Sequence, residues 1–128
     1  MSGSRPRSHR VAQAAYERVK ARKSFPQEKD YGALAHQLPT MILQNGLAQA
    51  TGFLLEQHLG LLDDLTQVLR ETGMGGCDNP TALRKAVVEA GTLDTMHLTR
   101  RALEAAEWIK RFVQGVLEVD AAGQEPSP

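Results

Sequence analysis

A chain of 128 residues suits one domain, long enough to bury a core without disulfides or structural metal. It is rich in Ala and Leu and poor in aromatics (5%), which favours helix over strand, and its single cysteine, Cys77, excludes an internal disulfide and fits a reducing compartment. The formal charge is zero, yet residues 1–29 hold Arg5, Arg7, Arg10, Arg18, Lys20, Arg22, Lys23 and Lys29 against only Glu17 and Glu28, so a basic arm on an acidic body points to an anionic partner or to another copy's acidic face.

Residues 1–8 read as a disordered basic arm. Ser8 is the expected cap of a first helix over 9–23, striped by Val11, Ala15 and Val19 and ended by Ser24-Phe25-Pro26. A second helix starts near Glu28. It places Tyr31, Leu34, Ala35, Leu38, Met41 and Ile42 on one face, with His36, Gln37, Thr40 and Gln44 opposite. The phase survives Pro39, so one helix kinks there or two meet there. Asn45-Gly46 is a stop signal, after which Leu47, Ala50, Leu54, Leu61 and Leu62 renew the stripe.

Leu61, Leu62, Leu65, Val68 and Leu69 mark a short helix, with Asp63 and Asp64 favourably near its start. Gly73-Met74-Gly75-Gly76 reads as a loop that leaves the following Cys77 exposed. Asn79-Pro80 starts a helix whose inward face is Leu83, Ala86, Val87 and Ala90, and Gly91 closes it. Thr92 is the expected cap of a last helix over 93–118. Leu98, Ala102, Ala105, Ala106, Ile109, Phe112, Val113 and Val116 face inward there. Arg100–Glu104 and Glu107–Arg111 stand four apart on the outer face, worth about 0.3–0.5 kcal/mol each if paired. Residues 119–128 read as a disordered tail. With no strand candidate and no repeat, the expectation is all-α: one compact bundle-like domain, 9–118, of five to seven helices.

No apolar run approaches the roughly 18 residues of a membrane span, and the basic N-terminus lacks the apolar stretch of a secretory signal. A soluble, cytoplasmic protein is expected.

Catalysis needs converging groups, and the sequence offers none; no metal site and no cofactor is expected. His9, His36, His58 and His97 have no HExxH spacing, and no cysteine pair exists for zinc. His58 falls in phase with Leu47, Leu54 and Leu62 and reads as a packed core or interface histidine. Asp63 and Asp64 point about 100° apart on a helix and make no chelate alone. The glycine loop lacks the Lys-Ser/Thr ending of a phosphate loop. Trp108 departs from the pattern: it lies on the charged side of the last helix, between Arg101 and Glu104. Either another segment of the chain covers it or it meets a partner or a base. The basic residues of the first helix scatter around its circumference, which suits salt-sensitive backbone contacts and not base reading.

The segment from Tyr31-Gly32 through Leu34-Ala35, Leu38-Pro39, Gln44-Asn45-Gly46-Leu47, Gln49-Ala50 and Phe53-Leu54 closely resembles the signature of the Cmr small-subunit family. This is the fifth Cmr protein of type III-B CRISPR effector complexes. A second similarity runs from Thr99-Arg100 to Ala106 and through Trp108-Ile109-Lys110-Arg111-Phe112. The resemblance covers most of residues 9–117, with 59–91 alike only in helical character. It implies a non-catalytic helical subunit, in several copies, stacked as a minor filament beside the backbone subunit. There it would help line the channel where CRISPR RNA and target RNA pair. The expected RNA contacts are then Arg18, Lys20, Arg22, Lys23, Lys110 and Arg111, with Trp108 as a partner contact. A free-standing helical DNA-binding regulator, using 79–91, and a nuclease using His58, Asp63 and Asp64 are the competing readings.

Overall fold

The computed structural model describes residues 6–23 and 28–117, and among them five α-helices and a terminal π-helical turn are present with no strand. The helices are α1 (Arg7–Lys20), α2 (Glu28–Gln57), α3 (Leu59–Glu71), α4 (Pro80–Glu89) and α5 (Thr92–Phe112), and the π turn is Val113–Leu117. The all-α expectation therefore holds. The segments 1–5, 24–27 and 118–128, which include most of the expected arm, the Ser24-Phe25-Pro26 stop and the tail, lie outside the described residues.

Helix α1 starts two residues before the expected His9. Pro6 is its cap: its extended backbone sets the entry, and its carbonyl accepts from the His9 and Arg10 amides at 3.0 and 3.3 Å. Ser8 lies inside the first turn, so no side chain caps this end. Val11, Ala14, Ala15 and Val19 are buried against α3 and α5.

Pro39 leaves the path of α2 helical, and the one non-helical residue is Gly46. Proline deletes one amide, a loss that buried Leu38 and Ile42 on either side offset by packing. Gly46 has φ 86° and ψ 157°, a region open essentially to glycine alone, so the chain must leave the helical path there. The break re-aims the stripe: Tyr31, Ala35, Leu38 and Ile42 precede it, and Leu47, Ala50 and Leu54 follow, all in the core. His36, expected on the polar face, is buried. Helix α2 packs on α3, α4 and α5, so its covered sector is wider than the apolar stripe.

Helix α3 is enclosed by the other four. Leu61, Leu62, Leu65, Val68 and Leu69 are at most 1% exposed, and Asp64 and Thr66 share that burial. Asp63 and Asp64 are not in the first turn, which corrects the helix-start reading: the helix begins at Leu59, earlier than the leucine run suggests. Its cap is His58, whose Nδ1 accepts from the Leu61 amide at 3.1 Å. In the connection to α4, Gly73 and Gly76 take positive φ and the chain folds back, so Cys77 is buried and not exposed. Asn79 caps α4 as expected, accepting from the Ala82 amide at 2.8 Å ahead of Pro80. Gly91 caps α5 and does not terminate α4, and Thr92 is the first helical residue of α5.

Candidate nucleic-acid interface

Arg18 and Arg22 stand one turn apart and both reach α3. Arg18 Nε donates to Asp64 Oδ1 at 2.9 Å, and its Nη2 reaches Asp63 Oδ2 at 3.3 Å. Arg22 grips both oxygens of Asp64, through Nε to Oδ2 at 2.9 Å and Nη2 to Oδ1 at 3.1 Å, and Nη2 also donates to the Gly60 carbonyl. Tyr31 Oη donates to Asp64 Oδ2 at 2.7 Å. A fully buried carboxylate thus ties α1, α2 and α3 together. Gly60 leaves room for this, since a Cβ there would come within 3.1 Å of Arg22 Nη1. The hydrogen bond to Asp64 raises the pKa of Arg22, and burial, then the Asp64 charge, pushes Tyr31 well above its ordinary value. Both guanidinium charges are therefore engaged inside the molecule, and neither faces a partner freely.

The other predicted residues gather elsewhere. Arg111 lies over the Trp108 ring at 4.6 Å, Trp108 stacks on Phe112 at 5.7 Å, and Phe112 meets the edge of Tyr16 at 5.4 Å. Lys20 sits 5.7 Å from the Tyr16 ring centre. Trp108 is half-buried against the core, so the chain covers part of the ring and leaves part to solvent. Lys20 and Arg111 are exposed, which makes an aromatic patch edged by two cations. Lys23 is exposed in the turn after α1, and Lys110 is half-buried on α5, on a different side of the helix from Arg111.

The expected outer-face pairs of α5 are replaced: Glu104 lies 3.4 Å from Arg7 of α1, and Arg111 turns to Trp108. Sequence reasoning missed Arg101, which is 9% exposed. Its Nη2 donates to the Thr72 carbonyl at the end of α3 and approaches the Thr72 hydroxyl at 3.5 Å. Burial, then repulsion by Arg7 and Arg10, lowers its pKa. Only its position on the edge of the apolar face of α5 hinted at this. His58, read as a packed histidine, works as a cap and lies with its ring edge-on to Tyr31 at 5.7 Å. Because Nδ1 accepts, the neutral ring carries its proton on Nε2, which is buried without a partner. Among the described residues no three His, Cys, Asp or Glu side chains are grouped to hold a metal ion. No described helix is long and apolar enough to cross a membrane.

Residues 7–116 match the family model described as CRISPR-associated protein (Cas_Cmr5). The chain is 39% identical, over 118 residues, to the CRISPR system Cmr subunit Cmr5 of Thermus thermophilus; the similarity spans 89% of this chain and 98% of that one. The fold is similar to the crystal structure of a CRISPR-associated Cmr5 family protein from the same organism. There the TM-score is 0.79 at 36% identity, covering 91% of this chain and all of the other. With a family match over nearly its whole described length and a relative matched from end to end, this chain belongs to the CRISPR-associated Cmr5 family.

Proposed function

We propose that the chain is a non-catalytic small subunit of the type III-B CRISPR (Cmr) effector complex, acting in the cytoplasm in antiviral defence. Several copies stack as a minor filament beside the backbone subunit and help line the channel where CRISPR RNA pairs with target RNA. The observation that carries this reading is the family match over residues 7–116, joined to a whole-chain likeness to a Cmr subunit. The surface chemistry is compatible with it. Lys20, Lys23, Lys110 and Arg111 supply charge to RNA phosphates, and half-exposed Trp108 supplies a contact for a neighbouring subunit. Arg18 and Arg22 act one step back, by holding α1 on α3 so that Lys20 and Lys23 stay in place.

The test is co-elution on size exclusion of this chain with the other Cmr subunits and a CRISPR RNA, followed by charge reversal. Stoichiometric entry into the RNA-containing peak is expected. K20E together with K23E should lower complex–RNA affinity and flatten its salt dependence, by a slope of about 0.7 per lost phosphate contact. A chain that elutes alone while the remainder assembles defeats the reading. Unchanged affinity and slope in the double variant defeats the residue assignment.

A further inference from the structure

We propose that Arg7, Arg10 and Arg101 form a phosphate-binding site where the first turn of α1 meets the middle of α5. It adds to the RNA surface above a place that surface does not include, and it rests on the RNA reading only for the source of the phosphate.

The geometry begins with the Arg7–Glu104 pair at 3.4 Å, which brings the start of α1 onto α5. Arg7 and Arg10 are one turn apart on α1, and Arg101 and Glu104 are one turn apart on α5, so the Arg7–Glu104 pair brings the four positions into one neighbourhood. Arg7 and Arg10 both act on Arg101 as like charges, and Glu104 is the one carboxylate among the described residues that acts on it favourably. Among the described residues three guanidiniums thus share one carboxylate, whose Oε1 is buried without a hydrogen-bond partner, and two positive charges there have no counter-ion.

The contact between α1 and α3 avoids this. Arg18 and Arg22 meet Asp63 and Asp64 charge for charge. Arg101, by contrast, is nine-tenths buried, and its hydrogen-bond partners are the neutral carbonyl and hydroxyl of Thr72. A desolvated cation among neutral oxygens and like charges is destabilising until an anion joins it. The backbone adds to the field: α1 has no acidic residue in its first turn and no capping side chain, and two arginines stand at the positive end of its dipole, where acids are the favourable choice.

Arg7 and Arg10 are exposed, so the spot is open to solvent, while Arg101 is fixed on Thr72 at its back. Neighbouring planar guanidiniums suit an oxyanion that accepts from several donors at once, and a phosphate group has both the charge and the oxygens. That phosphate comes either from an RNA backbone or from a free anion.

The experiment follows the arginine Nε–Hε resonances of the full chain by NMR. Inorganic phosphate is titrated first and then a single-stranded RNA oligonucleotide, for the parent, Arg10→Gln and Lys85→Gln, the last an exposed lysine of α4. Saturable shifts of Arg7, Arg10 and Arg101 are expected with both ligands, tighter with RNA. Arg10→Gln should weaken both by about fivefold or more, the loss of one charge-assisted hydrogen bond, while Lys85→Gln leaves both titrations unchanged. Saturation by phosphate with no gain from RNA supports the site and removes RNA as its source. Non-saturating shifts with phosphate, or RNA binding that leaves the three arginines unmoved, overturns the site. The latter result would leave the RNA reading itself standing.

Discussion

Asp64 is the residue whose change should be felt most widely. Asp64→Asn keeps the shape and removes the charge. Its carboxylate is fully buried and takes donors at 2.7, 2.9, 2.9 and 3.1 Å from Tyr31, Arg18 and Arg22. A carboxamide presents its nitrogen to at least one of these donors. The mildest placement puts nitrogen at Oδ2, where the Tyr31 hydroxyl can turn to accept, but Arg22 Nε then faces a donor. Breaking a buried ion pair costs about 3–5 kcal/mol. The low end applies here, because the Arg18 and Arg22 side chains keep 32% and 22% exposure and Arg18 retains Asp63. A loss of about 3 kcal/mol, for a domain with an unfolding entropy of about 0.2–0.3 kcal/mol/K, lowers Tm by about 10–15 °C. Thermal and urea melts read this directly. Asp63→Asn is the control: that residue is one-third exposed and meets Arg18 only at 3.3 Å, so about 1 kcal/mol or less is expected. If Asp64→Asn melts within about 2 °C of the parent, or if Asp63→Asn costs as much, the account of Asp64 as the tie between α1, α2 and α3 is wrong.

Three further outcomes follow from single positions. Gly46→Val and Gly46→Ala should each cost about 1–3 kcal/mol, because positive φ strains any L side chain, while a Cβ there meets no atom within 4 Å; an unchanged melt, or a cost confined to valine, contradicts this. Tyr31→Phe removes the 2.7 Å bond to Asp64 and should cost about 1.5–3 kcal/mol near neutral pH. Its second signature is in alkali. Because the folded pKa of Tyr31 is raised, its contribution is fully present below about pH 10, where the unfolded phenol ionises, and is lost as pH rises further. The stability gap between parent and Tyr31→Phe should therefore narrow between pH 9 and 11 in urea melts, and a gap that widens refutes the sign. Cys77 is 1% exposed, and burial raises its thiol pKa, so an aromatic disulfide reagent at pH 8 should label it only as fast as the fold opens; immediate labelling of the native chain would place the thiol at the surface.

The helical periodicity of the sequence identified the elements because burial on one face leaves a regular trace. The Leu61–Leu69 run, the α5 stripe and the Asn79-Pro80 start were all readable in this way. Polar residues with buried roles were not. Asp64 and His36 sit where neighbouring helices close over a face that periodicity assigns to solvent. Arg101 finds its partner 29 positions away in sequence, at the end of another helix. Caps were legible where side chain and proline agree, at Asn79. They were misread at Ser8 and Thr92, where a shift of two residues and of one turns a cap into a first-turn residue. For the candidate interface, Trp108 was visible as an aromatic out of phase. Its partners Phe112 and Arg111 follow from three- and four-residue spacing, but Tyr16 and Lys20 depend on how α1 lies on α5.

That crossing also changes what the charge split means. Arg18 and Arg22 are matched by Asp63 and Asp64, and Arg7 by Glu104, so much of the basic excess of the N-terminal third is internal. What remains is local. At about 100° per residue, Arg101, Glu104, Trp108, Arg111 and Phe112 share one side of α5. Helix α1 runs along it in the same direction, since Arg7 meets Glu104 and Tyr16 meets Phe112. The eight residues from Glu104 to Phe112 span about 12 Å of helix. At one end of that seam stand Arg7, Arg10 and Arg101, and at the other Lys20 and Arg111 beside the aromatic rings. A flexible polyanion can engage both ends, whereas a compact anion can engage only one. Salt dependence of RNA binding should then arise at the two ends of the seam and not at Arg18 or Arg22. Any effect of changing those two must come with a fall in Tm, because their charges serve Asp64 before they serve a ligand.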